Sequence, residues 1–410
     1  MKKYVIIGNG TAAAGCVEGI RSVDPTGSVT IVSAENHPVY CRPLISYYLE
    51  GKTDLKRILY RPADFYETND CTVRYDCRAE KIDPEKKQVT LDDGETLDYD
   101  AICVATGSAP FVPPMDGLDT VPDKFSFMTL DDALALEQAI GKEKDVLIIG
   151  AGLIGLKCAE GLHGRVHHIT VCDLADRVLS SILDPESAAI VQRHLEQNGL
   201  SFLLSDSVAR FDGNTAEMKS GARVRFDLLV LAVGVRANTG LVREIGGTCG
   251  RGITVDDRMQ TSVADIYAAG DCTESMDVSE HKVKVMALLP NAYMQGHCAG
   301  VNMAGGSAVF DCAIPMNSIG FFGLHTMTAG SRTDDVYEEK SDSHIKKLFV
   351  RDGKLAGFML IGDVDHAGIY TGMIRNRTPL DSVDFDSLKK APNLYAFGAE
   401  YRHSKLEEVT

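Results

Sequence analysis

Two glycine-rich stretches, Gly8-Asn9-Gly10-Thr11-Ala12-Ala13 and Gly150-Ala151-Gly152-Leu153-Ile154-Gly155, each follow a short apolar run, Tyr4 to Ile7 and Val146 to Ile149. In such a turn the first glycine permits a tight bend and the second lets the backbone approach a pyrophosphate. The third small residue packs the helix against its strand. The free N–H groups and positive dipole of the helix start then face the phosphates. One match of this kind is weak, but two on one chain point to electron movement between two dinucleotides.

The elements that follow each turn repeat as well. Ser28 to Val32 leads to Glu35, 27 residues after Gly8, and His168 to Cys172 leads to Asp173, 23 residues after Gly150. Both are near the roughly 20-residue spacing at which an acid meets a ribose 2′-OH. Hairpin-like stretches come next, Val89 to Asp100 with an Asp93-Gly94 turn and Val208 to Asp227 with Asp212-Gly213. Apolar strands then close at Gly107 and Gly234, so the halves read as a duplicated unit.

A chain of 410 residues suggests two or three domains, and no apolar run approaches the roughly 20 residues of a membrane helix. Met1-Lys2-Lys3 imitates a signal-peptide start, but its apolar run is interrupted at Gly8; a cytoplasmic protein is expected. The net charge of −16 argues against nucleic acid or an anionic membrane as partner. Lys346, Lys347 and Arg351 form a local basic cluster, either a docking point or a solvated face. The eleven cysteines include no C-x-x-C pair, and Cys103, Cys158 and Cys172 fall in apolar segments. Neither structural disulfides nor a bound cluster is expected. His163, His167 and His168 lack convergent metal-ligating partners, so no metal site is expected.

Four segments resemble the two-dinucleotide flavoprotein reductases, the FAD-dependent pyridine nucleotide-disulfide oxidoreductases: Tyr4 to Gly15, Ala105 to Pro110, Val146 to Leu162 and Asp265 to Asp271. The resemblance implies an α/β fold with two Rossmann-like dinucleotide-binding domains and a C-terminal α+β domain. FAD would bind residues 1–112 and 240–313, NADH residues 113–239, and residues 314–410 would form an interface domain that covers the flavin and makes a homodimer. By this resemblance Gly8, Gly10, Thr11, Ala12, Ala13, Glu35, Ala105, Thr106, Gly107, Gly270 and Asp271 bind FAD. Gly150, Gly152, Leu153, Ile154, Gly155, Asp173 and Gly234 line the second nucleotide site. Pro38 to Leu49 is similar to the flavin-side segment of NADH:rubredoxin and ferredoxin reductases and of the flavin part of assimilatory nitrite reductases. Within it Arg42 would fork to the FAD phosphates and Pro43 would stiffen the segment. The Leu289 to Gly296 stretch, with Asn291, resembles the opening of a helix aimed at the flavin ring.

Charge sharpens several expectations. Asp173 would accept a ribose 2′-OH and repel a 2′-phosphate, favouring NADH over NADPH, while Arg177 argues the other way. Lys157 stands where many relatives carry Glu; it reaches towards flavin N5 with Glu160 or Glu50 as counter-charge, or it points to solvent. Cys41 is either a nucleophile activated by Arg42 or a small structural thiol. His37 either lies over the flavin entrance or is solvated. The Ile319 to Gly323 patch is either an interface anchor or sheet core, and Lys389-Lys390 and Glu407-Glu408 are read as peripheral.

The activity these expectations imply is hydride transfer from NADH to FAD, then electron release to a small iron–sulfur carrier such as rubredoxin or ferredoxin, or to a partner redox subunit. The alternatives are a Cys41-assisted reductase of disulfide, persulfide, peroxide or oxygen, and a flavin-based NADH sensor without turnover.

Overall fold

Two parallel five-stranded sheets repeat one another strand for strand. They were found in a computed structural model that describes residues 1–400, 402 and 403; Glu407-Glu408 lies outside the described residues. In space the first sheet runs Ile266–Ala268, Ala101–Val104, Lys3–Ile7, Ser28–Val32 and Cys71–Arg74. The second runs Lys124–Phe125, Leu228–Leu231, Asp145–Ile149, His168–Asp173 and Ser201–Leu204. Register agrees too: Ile7 pairs with Val32 and Val104 as Ile149 pairs with Cys172 and Leu231. Val5, Ile6, Ile102, Ile148 and Leu229 are buried, as covered parallel strands require, which is why these runs are continuously apolar. The α/β class and the duplication expected from sequence are both found. Strand order reverses beside Lys3–Ile7 and beside Asp145–Ile149, where a doubly wound sheet opens its ligand crevice.

The repeats differ in how the chain closes them. The edge strand of the first sheet, Ile266–Ala268, comes late in the chain, whereas that of the second, Lys124–Phe125, comes early. The second unit is therefore inserted into the first. Where the chain leaves, at Ser108–Pro110, and where it returns, at Val235–Ala237, it pairs with itself as an antiparallel ribbon. Each half also carries a three-stranded antiparallel sheet, Ala79–Asp83, Gln88–Leu91 and Thr96–Asp98 in one, Val208–Asp212, Thr215–Met218 and Arg223–Arg225 in the other. The Asp-Gly turns occupy different hairpins of these sheets, the later one in the first half and the earlier one in the second.

Helix Thr11–Arg21 lies against helix Leu289–Met303 along a seam with glycine on both sides. A Cβ on Gly296 would stand 2.8 Å from the carbonyl carbon of Ala12, and one on Gly300 2.9 Å from that of Cys16. Reciprocally, Gly15 and Gly19 would place a Cβ 3.2 and 3.0 Å from the carbonyl carbons of Tyr293 and His297. The backbones approach so closely that no side chain fits between them.

By its contacts the chain divides into two compact units. The sheets and helices above belong to the first, and the second comprises Ile182–Leu195, Met276–Lys282 and the residues from Cys312 on. The second unit is built on an antiparallel sheet ordered Met316–Phe321, Leu324–Gly330, Lys354–Ile361, Ile345–Arg351 and Asp335–Lys340, with helix Ala367–Arg375 packed on it. The expected hairpin turns at Asp352 and Gly353, whose φ values are +50° and +68°. Phe321 of the apolar patch is buried in this unit, as sheet core requires. Lys347 is buried against Asp184 (2.9 Å) and Glu186 (3.3 Å), Lys346 bonds Glu339 (3.0 Å), and Arg351 donates to the Ser279 carbonyl (2.6 Å). These cations pair within the unit, Lys347 buried and Arg351 exposed. Among the described residues no helix is long and apolar enough to cross a membrane, and no group of three or more His, Cys, Asp or Glu could hold a metal ion.

Candidate functional site

Each nucleotide turn is built on one glycine that no other residue can replace. Gly8 and Gly150 have φ of +112° and +118°, and a Cβ on either would lie 2.7 Å from a carbonyl carbon, that of Ala105 or Ala232. Those alanines donate their own N–H groups to Ile7 (2.7 Å) and Ile149 (2.8 Å), so a neighbouring strand end clamps both turns alike. At the third small position Ala13 buries its methyl, whereas a Cβ on Gly155 would come 3.2 Å from the carbonyl carbon of Gly150 and closer still to its oxygen.

Gly10 and Gly152 are different. Both are extended N-caps, no side chain caps their helices, and a Cβ on either would meet nothing within 4 Å. Neither φ nor packing demands glycine there. What a side chain would fill is the open space in front of the free N–H groups of Thr11, Ala12, Leu153 and Ile154, the kind of place that suits an anion. The residues present fit a dinucleotide pyrophosphate at both turns.

The acids fall less symmetrically. Gly8 and Gly150 donate to the carbonyls of Val32 (2.8 Å) and Cys172 (2.7 Å), which makes Ser33 the counterpart of Asp173. Asp173 accepts the N–H groups of Ala151 (2.6 Å) and Ala175 (2.8 Å), fixing its carboxylate beside the phosphate turn. Glu35 stands two residues further on, ion-paired with Arg42 and accepting the Tyr40 hydroxyl at 2.7 Å. Arg177 turns to Asp176, at 2.6 Å.

Arg42 contacts the Tyr40 hydroxyl and the Met128 carbonyl, each at 3.1 Å, besides Glu35, and Pro43 follows it at the start of the Arg42–Leu44 turn. Its charge also reaches Asp271. Burial pushes the Asp271 carboxyl above the usual range, and Arg42 opposes that shift. Gly270, with φ of +83°, brings this motif against the first helix: a Cβ on it would stand 3.0 Å from that of Ala12. Gln295, buried on helix Leu289–Met303, accepts the Gly270 N–H at 2.8 Å and so fixes the motif. Asn291 is buried in the first turn of that helix, next to Pro290. Thr106 and Asn238 exchange hydroxyl and amide bonds with each other's carbonyls, both at 2.9 Å. Gly107 beside them has φ of +63°, and Gly234, at the other end of the ribbon, where its carbonyl accepts the Phe111 N–H, has φ of +120°.

Two candidate reactive groups sit on the segment and helix that join the nucleotide turns. Cys41 is half-buried and burial pushes its thiol up, with only a backbone N–H from Leu44 opposing. Arg42 spends its guanidinium on Glu35 and Tyr40, so the thiolate activation expected from it is not found. Lys157 does not point to solvent. Its ammonium ion-pairs with Glu160 and lies 4.6 Å from the Tyr47 ring centroid, while Glu50 pairs with Lys52 instead. His37 bonds Asp131 at 2.7 Å.

Sequence reasoning missed Tyr40, Tyr47, Tyr66, Asn9 and Gln295. Asn9 lies inside the first glycine motif, yet nothing in the motif says that its carbonyl accepts the Tyr66 hydroxyl (2.8 Å) or that its amide donates to His37 (3.1 Å).

Comparison with known proteins agrees with this geometry. Residues 2–296 match the family described as pyridine nucleotide-disulphide oxidoreductase. The chain is 32% identical over 391 residues to NADH-dependent phenylglyoxylate dehydrogenase subunit epsilon of Aromatoleum evansii, covering 92% of each protein. It is 32% identical over 390 residues to the assimilatory nitrate reductase electron transfer subunit of Bacillus subtilis, covering 92% of this chain and 50% of that one. A solved NAD-dependent persulfide reductase from A. fulgidus superposes with a TM-score of 0.84 at 26% identity, covering 93% of this chain and 78% of that one. With the family matched across most of its length, the chain belongs to the pyridine nucleotide-disulphide oxidoreductases, enzymes that work with FAD and NAD(H).

Proposed function

We propose that this chain passes hydride from NADH to FAD and delivers the electrons to a small iron–sulfur protein such as rubredoxin or ferredoxin, or to a partner redox subunit. The observation that carries the reading is the pair of open, uncapped helix starts at Gly10 and Gly152 within one compact unit. FAD, when bound, supplies a centre that accepts two electrons as hydride and releases them singly, which no side chain does. The eleven cysteines are free thiols, so a dithiol relay is not part of the proposed path. Two relatives named as subunits, one matched over 92% of its length and the other over 50%, support a partner redox subunit as acceptor.

In this reading residues 1–112 and 240–313 hold FAD, residues 113–239 hold NADH, and residues 314–410 form a homodimer face, which sedimentation tests. Thr11 and Ala12 offer N–H groups to the FAD phosphates, and Arg42, Asp271, Gly270 and Thr106 orient that nucleotide. Leu153, Ile154 and Asp173 hold NADH, and Asp173 disfavours a 2′-phosphate. Lys157 supplies positive charge where the nucleotide-binding helix meets the flavin-side segment. Free thiols fit a cytoplasmic setting.

The test is anaerobic mixing of purified protein with NADH or NADPH, followed by rubredoxin, ferredoxin, oxygen, peroxide and coenzyme A persulfide as oxidants. Bleaching by NADH and re-oxidation by an iron–sulfur protein are expected. A colourless protein that takes up no flavin, or one that neither carrier reduces, refutes the reading. The likeness to a persulfide reductase favours a second one, in which the Cys41 thiolate attacks the outer sulfur of a persulfide, the S–S bond breaks and the carrier leaves as thiolate, and two electrons originating from NADH would then release that sulfur as sulfide and restore Cys41. It requires that Cys41→Ser abolish persulfide turnover and spare flavin reduction. No turnover with any acceptor would leave the sensor.

A further inference from the structure

Helix Leu153–Leu162, which begins at the open Gly152 turn, presses on helix Ile45–Leu49, which continues from Arg42 and Pro43. A Cβ on Gly161 would stand 2.9 Å from the Ser46 carbonyl oxygen and 3.3 Å from Leu49 Cβ, so the two backbones are in contact. Over this junction lie five polar or charged side chains. The Lys157 ammonium is 4.6 Å from the Tyr47 ring centroid and ion-paired to Glu160, which is 4% exposed. Lys52 approaches the same ring at 5.9 Å and pairs with Glu50 at 2.5 Å.

A buried ion pair is a poor way to stabilise a fold. Removing two charges from water costs about as much as their attraction returns, and apolar residues of the same volume do as well or better. What such a pair supplies is a defined place for each charge. Here Glu160 is nearly inaccessible, one turn along the helix, and can only draw the ammonium inward. The electron-rich face of Tyr47 then holds that ammonium against the neighbouring helix.

We propose that Glu160 and Tyr47 are positioning residues for Lys157, holding its ammonium at the junction so that it sets how the reduced nicotinamide meets the flavin. The inference rests on the hydride-transfer reading above and adds the residues that make Lys157 competent in it.

The test is anaerobic stopped-flow reduction of FAD-loaded protein, with the NADH dissociation constant and the flavin midpoint potential measured on the same variants. Lys157→Met and Glu160→Gln should each lower the limiting reduction rate about tenfold or more. NADH affinity should change little, and the midpoint potential should move negative in Lys157→Met. Glu160→Gln should add nothing in the Lys157→Met background, Lys157→Arg should keep most of the rate, and Tyr47→Leu should lower it. The decisive variant is the swap Lys157→Glu with Glu160→Lys, which keeps an ion pair but puts a carboxylate over the ring. It should be as slow as Lys157→Met. A swap with wild-type rate and potential overturns the proposal, because the pair would then be only a tie between helices. If Glu160→Gln does not fold, Lys157→Met with Glu160→Leu removes both charges, and a wild-type rate in that protein overturns it equally. Failure of the wild type to be reduced by NADH would instead sink the functional reading itself.

Discussion

The glycine seam between helices Thr11–Arg21 and Leu289–Met303 makes a quantitative prediction for Gly296→Ala. The new Cβ would stand 2.8 Å from the Ala12 carbonyl carbon and nearer its oxygen, below the 3.0 Å that real Cβ atoms respect. Both sides of that contact are helix backbone, so no rotamer change relieves it and one helix must move. Helix propensity favours alanine by about 1 kcal/mol, but overpacking a rigid contact costs about 1–3 kcal/mol, and a backbone clash belongs at the upper end. A net loss of about 2 kcal/mol and a melting temperature lower by roughly 4 °C follow. Moving the Thr11–Arg21 helix also displaces its open N-terminus, so FAD affinity should fall about tenfold or more. The control is Gly372→Ala in helix Ala367–Arg375, where a Cβ meets nothing within 4 Å. That change should stabilise by about 0.5–1 kcal/mol. Differential scanning calorimetry and FAD content after gel filtration read both. If Gly296→Ala melts at the wild-type temperature and keeps its flavin, the seam is not backbone-limited and the reasoning is wrong.

Asp173→Ala should raise the NADH dissociation constant about 10–100-fold and shift preference towards NADPH, since a charged acceptor is lost; an unchanged NADH:NADPH ratio in titration would contradict it. Asp271→Asn should weaken FAD binding yet raise the melting temperature of the flavin-free protein, because burial penalises the charged carboxylate. A carboxyl with its folded value raised gives up stability as pH rises through that value. The melting gap between the two flavin-free proteins should therefore close as pH falls towards 3.8, and a gap that widens refutes it. Gly10→Ala should lose FAD and Gly152→Ala should lose NADH while keeping FAD, with folding intact in both, as read by flavin content and NADH titration. Cys41→Ser should leave flavin reduction and iron–sulfur turnover unchanged in steady-state assays, since its thiol is pushed up and not activated.

The duplicated sheets were legible in the sequence because strands buried on both faces need unbroken apolar runs, and Tyr4 to Ile7, Val146 to Ile149 and Leu228 to Leu231 are such runs. The glycine turns were legible because their spacing is dictated by a strand, a bend and a helix start. The strand-end counterpart of Asp173 was not. Spacing paired Glu35 with Asp173, but the carbonyls that receive Gly8 and Gly150 put Ser33 there, and Glu35 is taken up by Arg42 and Tyr40. Spacing counts residues along a chain, and a loop of different length after the strand defeats it. Arg42 and Asp271 stand on opposite sides of the inserted nucleotide unit in sequence, and Gly270 meets Gln295 where helix Leu289–Met303 returns to the motif; no local pattern encodes either meeting. The same insertion closes through the Ser108–Pro110 and Val235–Ala237 ribbon, whose pairing joins residues more than 120 positions apart.

Glycines in this chain serve two masters, and the fold tells them apart. Gly8, Gly150, Gly296 and Gly300 are required by the protein itself, through left-handed backbone or a neighbour that leaves no room. Gly10 and Gly152 are required by neither, and unlike the equally unconstrained Gly372 they stand at uncapped helix starts, where a side chain would fill the space in front of the free N–H groups. The buried Lys157–Glu160 pair is also not explained by stability, since buried ion pairs as a class add little to it. Both departures lie on one helix, Leu153–Leu162, with the glycine at its start and the ion pair one to two turns along. That helix also touches the segment carrying Cys41, Arg42 and Pro43 through Gly161 and Ser46. A single helix thus reaches from the Gly152 turn to the Ile45–Leu49 helix, in the proposed reading from the second pyrophosphate to the flavin-side segment. In the proposed reading Lys157, drawn in by Glu160, is placed to control what passes between the two.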